Sequence, residues 1–306
     1  MRIGRAAALT DTGRRRLQNE DTFVCEPPLF AVADGMGGAQ AGELASRLAA
    51  TAIEERAAGL RGEAAVAGLV RDANSRIFDR ARSDPAVSGM GTTITIVLVD
   101  EEAGSAAIGH VGDSRAYRIR AGALEQLTTD HSLVAELVRS GRLTADEAAS
   151  HPHRSVITRA LGTDEDVEVD THTVALEPGD VLLLCSDGLT SMVRDDAILA
   201  LAGAHAADPG DVTEALVAAA NEAGGEDNIT IVAFEVTEGE PPERPAPAPV
   251  ATPATEDVPA DDEAPAPAPD DVRRHGAGNG SRWPALLFLA AVTLLAALAL
   301  WWGLTR

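Results

Sequence analysis

The chain has 306 residues, a formal net charge of −23 and 45% apolar residues. That apolar share suffices for a proper core, and the negative charge excludes nucleic acid as a partner, because phosphate backbones demand a basic surface. The first ten residues carry Arg2 and Arg5 but no sustained apolar run, so no signal peptide is read there. Strands are expected over residues 30–33, 92–99, 106–111, 181–185 and 228–236, which are rich in Val, Ile, Leu and Thr and bounded by Gly or Asp. Helical periodicity covers 41–58, 64–82 and 209–223. The strands come in consecutive groups instead of alternating with helices, which favours α+β over a doubly wound α/β fold.

Composition changes after residue 238. Residues 239–281 are built from Pro, Ala, Asp and Glu and repeat Pro-Ala units, so they cannot bury enough surface to offset chain entropy. A disordered linker is expected there, spanning roughly 35 Å root-mean-square if it behaves as a coil. Residues 283–302 hold no charge, and about 20 residues at 1.5 Å each match a ~30 Å hydrocarbon core. All three tryptophans, Trp283, Trp301 and Trp302, sit at the ends of this stretch, as interfacial belts do. A single transmembrane helix is therefore expected over 282–303. Arg273, Arg274 and Arg282 precede it and only Arg306 follows, which places residues 1–238 in the cytoplasm, tethered to the cell membrane.

Two further features are compositional. No lysine occurs, so every strongly basic side chain is Arg, the bias of a GC-rich genome and hence of a high-GC bacterium. Cys25 and Cys185 form no disulfide framework; both fall in strand-like stretches and read as small buried hydrophobes.

The informative pattern is acid at strand ends: Asn19-Glu20-Asp21, Asp34-Gly35-Met36-Gly37-Gly38, Gly112-Asp113-Ser114-Arg115, Ser186-Asp187-Gly188 and Glu226-Asp227-Asn228. Any one of these pairs could simply mark a turn. Five at the margins of apolar strands hold carboxylates at the rim of a core, where like charges repel and take up protons. Bound cations resolve that conflict, and hard oxygen donors select Mg²⁺, Mn²⁺ or Ca²⁺.

Together with Arg16-x-x-Asn19 and Gly91-Thr92-Thr93, this ordered series resembles the metal-dependent protein phosphatase family, type 2C, along the whole of 1–238. Residues 151–161 also resemble the flap segment of its bacterial members. The resemblance implies a four-layer αββα sandwich of two antiparallel sheets flanked by helices. It implies two Mn²⁺ or Mg²⁺ ions, with a third in bacterial members. By that pattern Asp34 bridges two metals, Asp187 and Asp227 hold one, and the Gly35 carbonyl with Glu20 serves the other. Asp21 acts through water, and Asp113 joins Asp187 at the third.

The activity so implied is hydrolysis of phosphoserine and phosphothreonine in proteins by a metal-activated water, opposing membrane-spanning Ser/Thr kinases and acting on their substrates. Arg16 is the candidate phosphate clamp, because guanidinium offers phosphate a planar fork. Ser155 in the flap-like segment is a candidate substrate contact. The position where some members carry a histidine is Met36, which cannot donate a proton; His110, His131 and His153 are candidate donors in its place. The alternative is a phosphoprotein-binding module that keeps the fold without turnover. A calcium scaffold would show a loop of the twelve-residue EF-hand type, and the sequence has none.

Overall fold

A computed structural model of the protein describes residues 1–37, 41–149, 151–204 and 208–238. The expected linker over 239–281 and the expected span over 282–303 lie outside the described residues. Among those described, no helix is long and apolar enough to cross a membrane.

In chain order the elements are β1 (Arg2–Asp11), β2 (Asp21–Glu26), β3 (Leu29–Met36), α1 (Ala41–Glu54) and α2 (Gly62–Ser83), followed by β4 (Gly91–Thr92), β5 (Ile94–Asp100), β6 (Ser105–Val111), β7 (Arg115–Arg120) and β8 (Ala123–Gln126). Two short helices, α3 (Leu133–Arg139) and α4 (Ala145–Ala149), precede β9 (Asp170–Ala175) and β10 (Val181–Cys185). The order closes with α5 (Asp187–Thr190), α6 (Asp195–Ala204), α7 (Pro209–Glu222) and β11 (Ile229–Thr237).

The strands form two sheets. One runs β1-β11-β10-β7-β8; the other runs β2-β3-β5-β6-β9, with β4 paired to β3. All pairings are antiparallel. Side chains alternate along each strand, so a central strand sends one set to each face. In β3, Phe30 and Val32 enter the core between the sheets, while Leu29, Ala31 and Ala33 face the core under α1 and α2. In β11, Val232, Phe234 and Val236 face the partner sheet, while Ile229, Ile231 and Ala233 face α6 and α7. The rings of Phe30 and Phe234 stack at 3.9 Å, joining the sheets. Three cores therefore separate four layers, helix, sheet, sheet, helix, an α+β sandwich.

This layering explains which strands are legible. β3, β5, β6, β10 and β11 lie inside their sheets and read as continuous apolar runs, because both faces are covered. β1, β8, β2 and β9 are the sheet edges, where arginine, threonine and acid face water. Apart from β2, whose stretch around Cys25 is strand-like, their composition gives no strand signal. The expected strand over 92–99 breaks at Thr93, whose N–H turns to the Asp34 carbonyl at 2.9 Å.

Candidate metal-dependent active site

Register brings the strand-end acids to one rim. Asp34, near the end of β3, pairs with Asp21 at the start of β2. The last residue of β10, Cys185, pairs with Ile231 of β11 and Arg115 of β7. That places Asp187, Asp227 and Asp113 around the same rim. Arg16, Glu20, Asp34, Gly35, Asp113, Ser155, Asp187 and Asp227 all line one cleft of about 510 Å³, together with Arg15, Leu17, Gln18, Met36, Thr93 and Ile157. Asp21 lies behind this lining, buried.

Several contacts fix the acids. The Asp34 N–H donates to Thr93 Oγ1 at 3.0 Å, and Thr93 Oγ1 meets Ser114 Oγ at 2.7 Å, beside Asp113. Ser186 Oγ donates to Asp21 Oδ2 at 2.8 Å. Asn228 takes the Glu20 N–H on Oδ1 at 2.8 Å and donates from Nδ2 to the Thr12 and Gln18 carbonyls, at 3.0 and 2.9 Å. The loop carrying Arg16 and Glu20 is thus pinned to the residue after Asp227. Arg16 itself donates to Asp227 Oδ2 at 2.6 Å, with the guanidinium half exposed.

Two glycine features shape the rim. The start of α1 lies so close to β3 that a Cβ on Gly42 would stand 2.9 Å from both the Gly35 carbonyl oxygen and the Glu20 carboxyl carbon. Those two oxygen donors are therefore neighbours, and only glycine leaves room for them. Gly112, at φ +115°, turns the chain out of β6 into Asp113 in a conformation that side chains rarely adopt.

Electrostatics follow from crowding. Burial lifts the Asp34 carboxyl well above the usual carboxylate range, and the charges of Asp21, Asp187, Asp113 and Asp227 push it further. Burial, with Asp187 and Asp130, raises Asp113 to about 8. Asp21 rises to about 7 and Asp187 to about 6, burial again leading. Glu20 is raised by burial against the pull of Arg16.

These residues fit hard divalent cations. Among the described residues, Asp21 Oδ1 and Asp187 Oδ1 are buried without a hydrogen-bond partner. Every donor facing the cleft from the acidic set is oxygen. Yet no three His, Cys, Asp or Glu side chains among the described residues already stand around one point. Ions of the Mg²⁺ type suit that spread, since they take one or two carboxylates and keep several waters.

None of the three histidines lines the cleft. His110 and His131 are buried, their rings 4.8 Å apart. His110 Nδ1 meets Thr95 Oγ1, and His131 Nδ1 accepts from the Gly112 N–H. His153 is exposed on the flap segment. Sequence reasoning gave no role to Gly42 or to the apolar lining residues Leu17 and Ile157. The Ala-Gly-Glu start of α1 was the available signal for Gly42.

The comparisons agree with this geometry. Residues 14–219 match the family model described as Protein phosphatase 2C. A serine/threonine phosphatase stp of Listeria welshimeri is 40% identical over 240 residues, covering 74% of this chain and 93% of that protein. The crystal structure of the Mycobacterium tuberculosis serine/threonine phosphatase PstP/Ppp superposes with a TM-score of 0.73 at 38% identity, over 77% of this chain and 99% of that one. The PstP catalytic domain in complex with two manganese ions gives a TM-score of 0.71 at 36% identity, over 77% and 99%. Fold, acidic rim and sequence together make this chain a member of the protein phosphatase 2C family, a protein serine/threonine phosphatase.

Proposed function

We propose that the chain removes phosphate from phosphoserine and phosphothreonine in proteins with Mn²⁺ or Mg²⁺ held in the acidic cleft. The observation that carries this reading is the meeting of Asp34, Asp113, Asp187 and Asp227 with Arg16 in one cleft. Asp34, Asp187, Asp227, Glu20 and the Gly35 carbonyl would hold two such ions, the buried Asp21 would act through water, and Asp113 with Asp187 would hold a third. Such ions, when bound, supply an activated water and neutralise charge on the phosphoryl oxygens.

The chain's own residues do the rest. Arg16 offers its guanidinium fork to the phosphate; its pairing with Asp227 is half exposed, so exchanging partners costs little. Ser155 lines the cleft from the flap segment and contacts the substrate chain. Met36 donates no proton and the histidines stand elsewhere, so the leaving alkoxide takes its proton from cleft water.

The membrane reading extends this proposal. The charge-free stretch 283–302 behind Arg273, Arg274 and Arg282 supports a single cytoplasm-facing anchor in the cell membrane. An anchor raises the effective concentration toward membrane-bound partners, which favours transmembrane Ser/Thr kinases and their substrates. The test is manganese-dependent phosphate release from a phosphothreonine peptide, lost in a folded Asp34→Asn variant. Release that ignores metal would refute the mechanism, and no release with any divalent ion would leave a binding module.

A further inference from the structure

The cleft is not uniformly polar. Leu17, Met36 and Ile157 line it beside the carboxylates. Together with Val156, the neighbour of Ser155 and Ile157, they belong to none of the three cores. Among the described residues only three large apolar side chains are exposed, and Leu17 at 100% and Val156 at 44% are two of them. Scattered single apolar residues on a surface need no explanation. Here the most exposed one, Leu17, lines the cleft together with Ile157 and Met36.

Both lips hang on one loop. The N–H groups of Arg14 and Arg15 donate to the Gly225 carbonyl at 2.7 and 3.2 Å, which holds the Leu17 lip. Arg154 on the flap segment pairs with Glu226 at 2.9 Å, which holds the Ile157 lip. The backbone of Val156 is already satisfied, its N–H by the His153 carbonyl and its carbonyl by the Leu133 N–H.

We infer that the substrate carries an aliphatic side chain next to its phosphorylated residue, seated on the wall formed by Leu17 and Ile157. This rests on the phosphatase reading and adds a sequence preference to it. The occupant is the substrate chain itself, because the wall is continuous with the cleft that receives the phosphate. Covering Leu17 removes apolar surface from water, which favours the bound state in proportion to the area.

The experiment compares kcat/KM of the full chain, with manganese, on phosphothreonine peptides that differ only in Leu or Ser beside the phosphothreonine. A preference for Leu over Ser of roughly tenfold is expected, the size that partial burial of one aliphatic side chain supports. In the Leu17→Ala/Ile157→Ala double variant the ratio falls toward one, and in Leu17→Met it persists. Taking the ratio cancels any general loss of activity. A wild-type ratio near one, or an unchanged ratio in the double variant, overturns the inference and leaves the phosphatase intact. No release from any peptide would overturn both.

Discussion

Replacing Asp187 by asparagine should stabilise the cation-free protein near neutral pH and leave it unchanged in acid. Burial, with Asp227 adding, lifts the Asp187 carboxyl from 3.8 to about 6. A raised folded value means that the fold prefers the protonated form. Below about pH 4 both states are protonated and the preference is fully satisfied; it is lost as pH rises through about 6. About two units correspond to about 3 kcal/mol, an upper figure because the neighbouring acids titrate with it. Asparagine keeps the shape and never ionises. Thermal unfolding in a chelator at about pH 8 should therefore show the variant about 6–12 °C above wild type, given about 2–4 °C per kcal/mol for a domain of this size. At about pH 4 the two curves should coincide. Added manganese reverses the order, since a ligand at a hundred times its Kd stabilises by about 3 kcal/mol and the variant binds it less well. If the variant is no more stable than wild type at about pH 8 without cations, the carboxylates do not crowd one another and the cation argument loses its basis.

Asn228→Ala removes three hydrogen bonds to the Glu20 loop, and should cost about 3 kcal/mol in urea unfolding and weaken manganese binding. Gly42→Ala places a methyl 2.9 Å from the Glu20 carboxyl carbon and the Gly35 carbonyl oxygen; a loss of about 1–3 kcal/mol with lower manganese affinity is expected, read by calorimetry. Arg16→Lys keeps the charge but loses the fork, and should raise KM for phosphopeptide by about tenfold while manganese binding holds. Deleting 283–306 should leave peptide turnover intact and move the enzyme off the membrane fraction; loss of soluble turnover would contradict the modular reading.

The sequence by itself determined the inner strands and the chemistry at their ends. Leu29, Phe30, Ala31, Val32 and Ala33 announce a strand because both faces of β3 are covered, and Asp34 must then emerge at a core margin. Local composition carries that much. It does not carry the edges, where Arg2 and Glu125 face solvent and the alternation disappears. Nor does it say which acids meet. Arg16 and Asp227 lie 211 residues apart, and they touch because β1 pairs with β11, Asp11 opposite Ile229. The same holds for Gly42, whose missing side chain matters only once α1 is laid against β3, and for Leu17, an unremarkable loop residue until the flap segment is tied to Glu226 across the cleft. Propensity is a property of neighbours in the chain, while a cleft is made by register between sheets. The acids' place at strand ends was therefore legible in the sequence, and their company was decided by the tertiary structure.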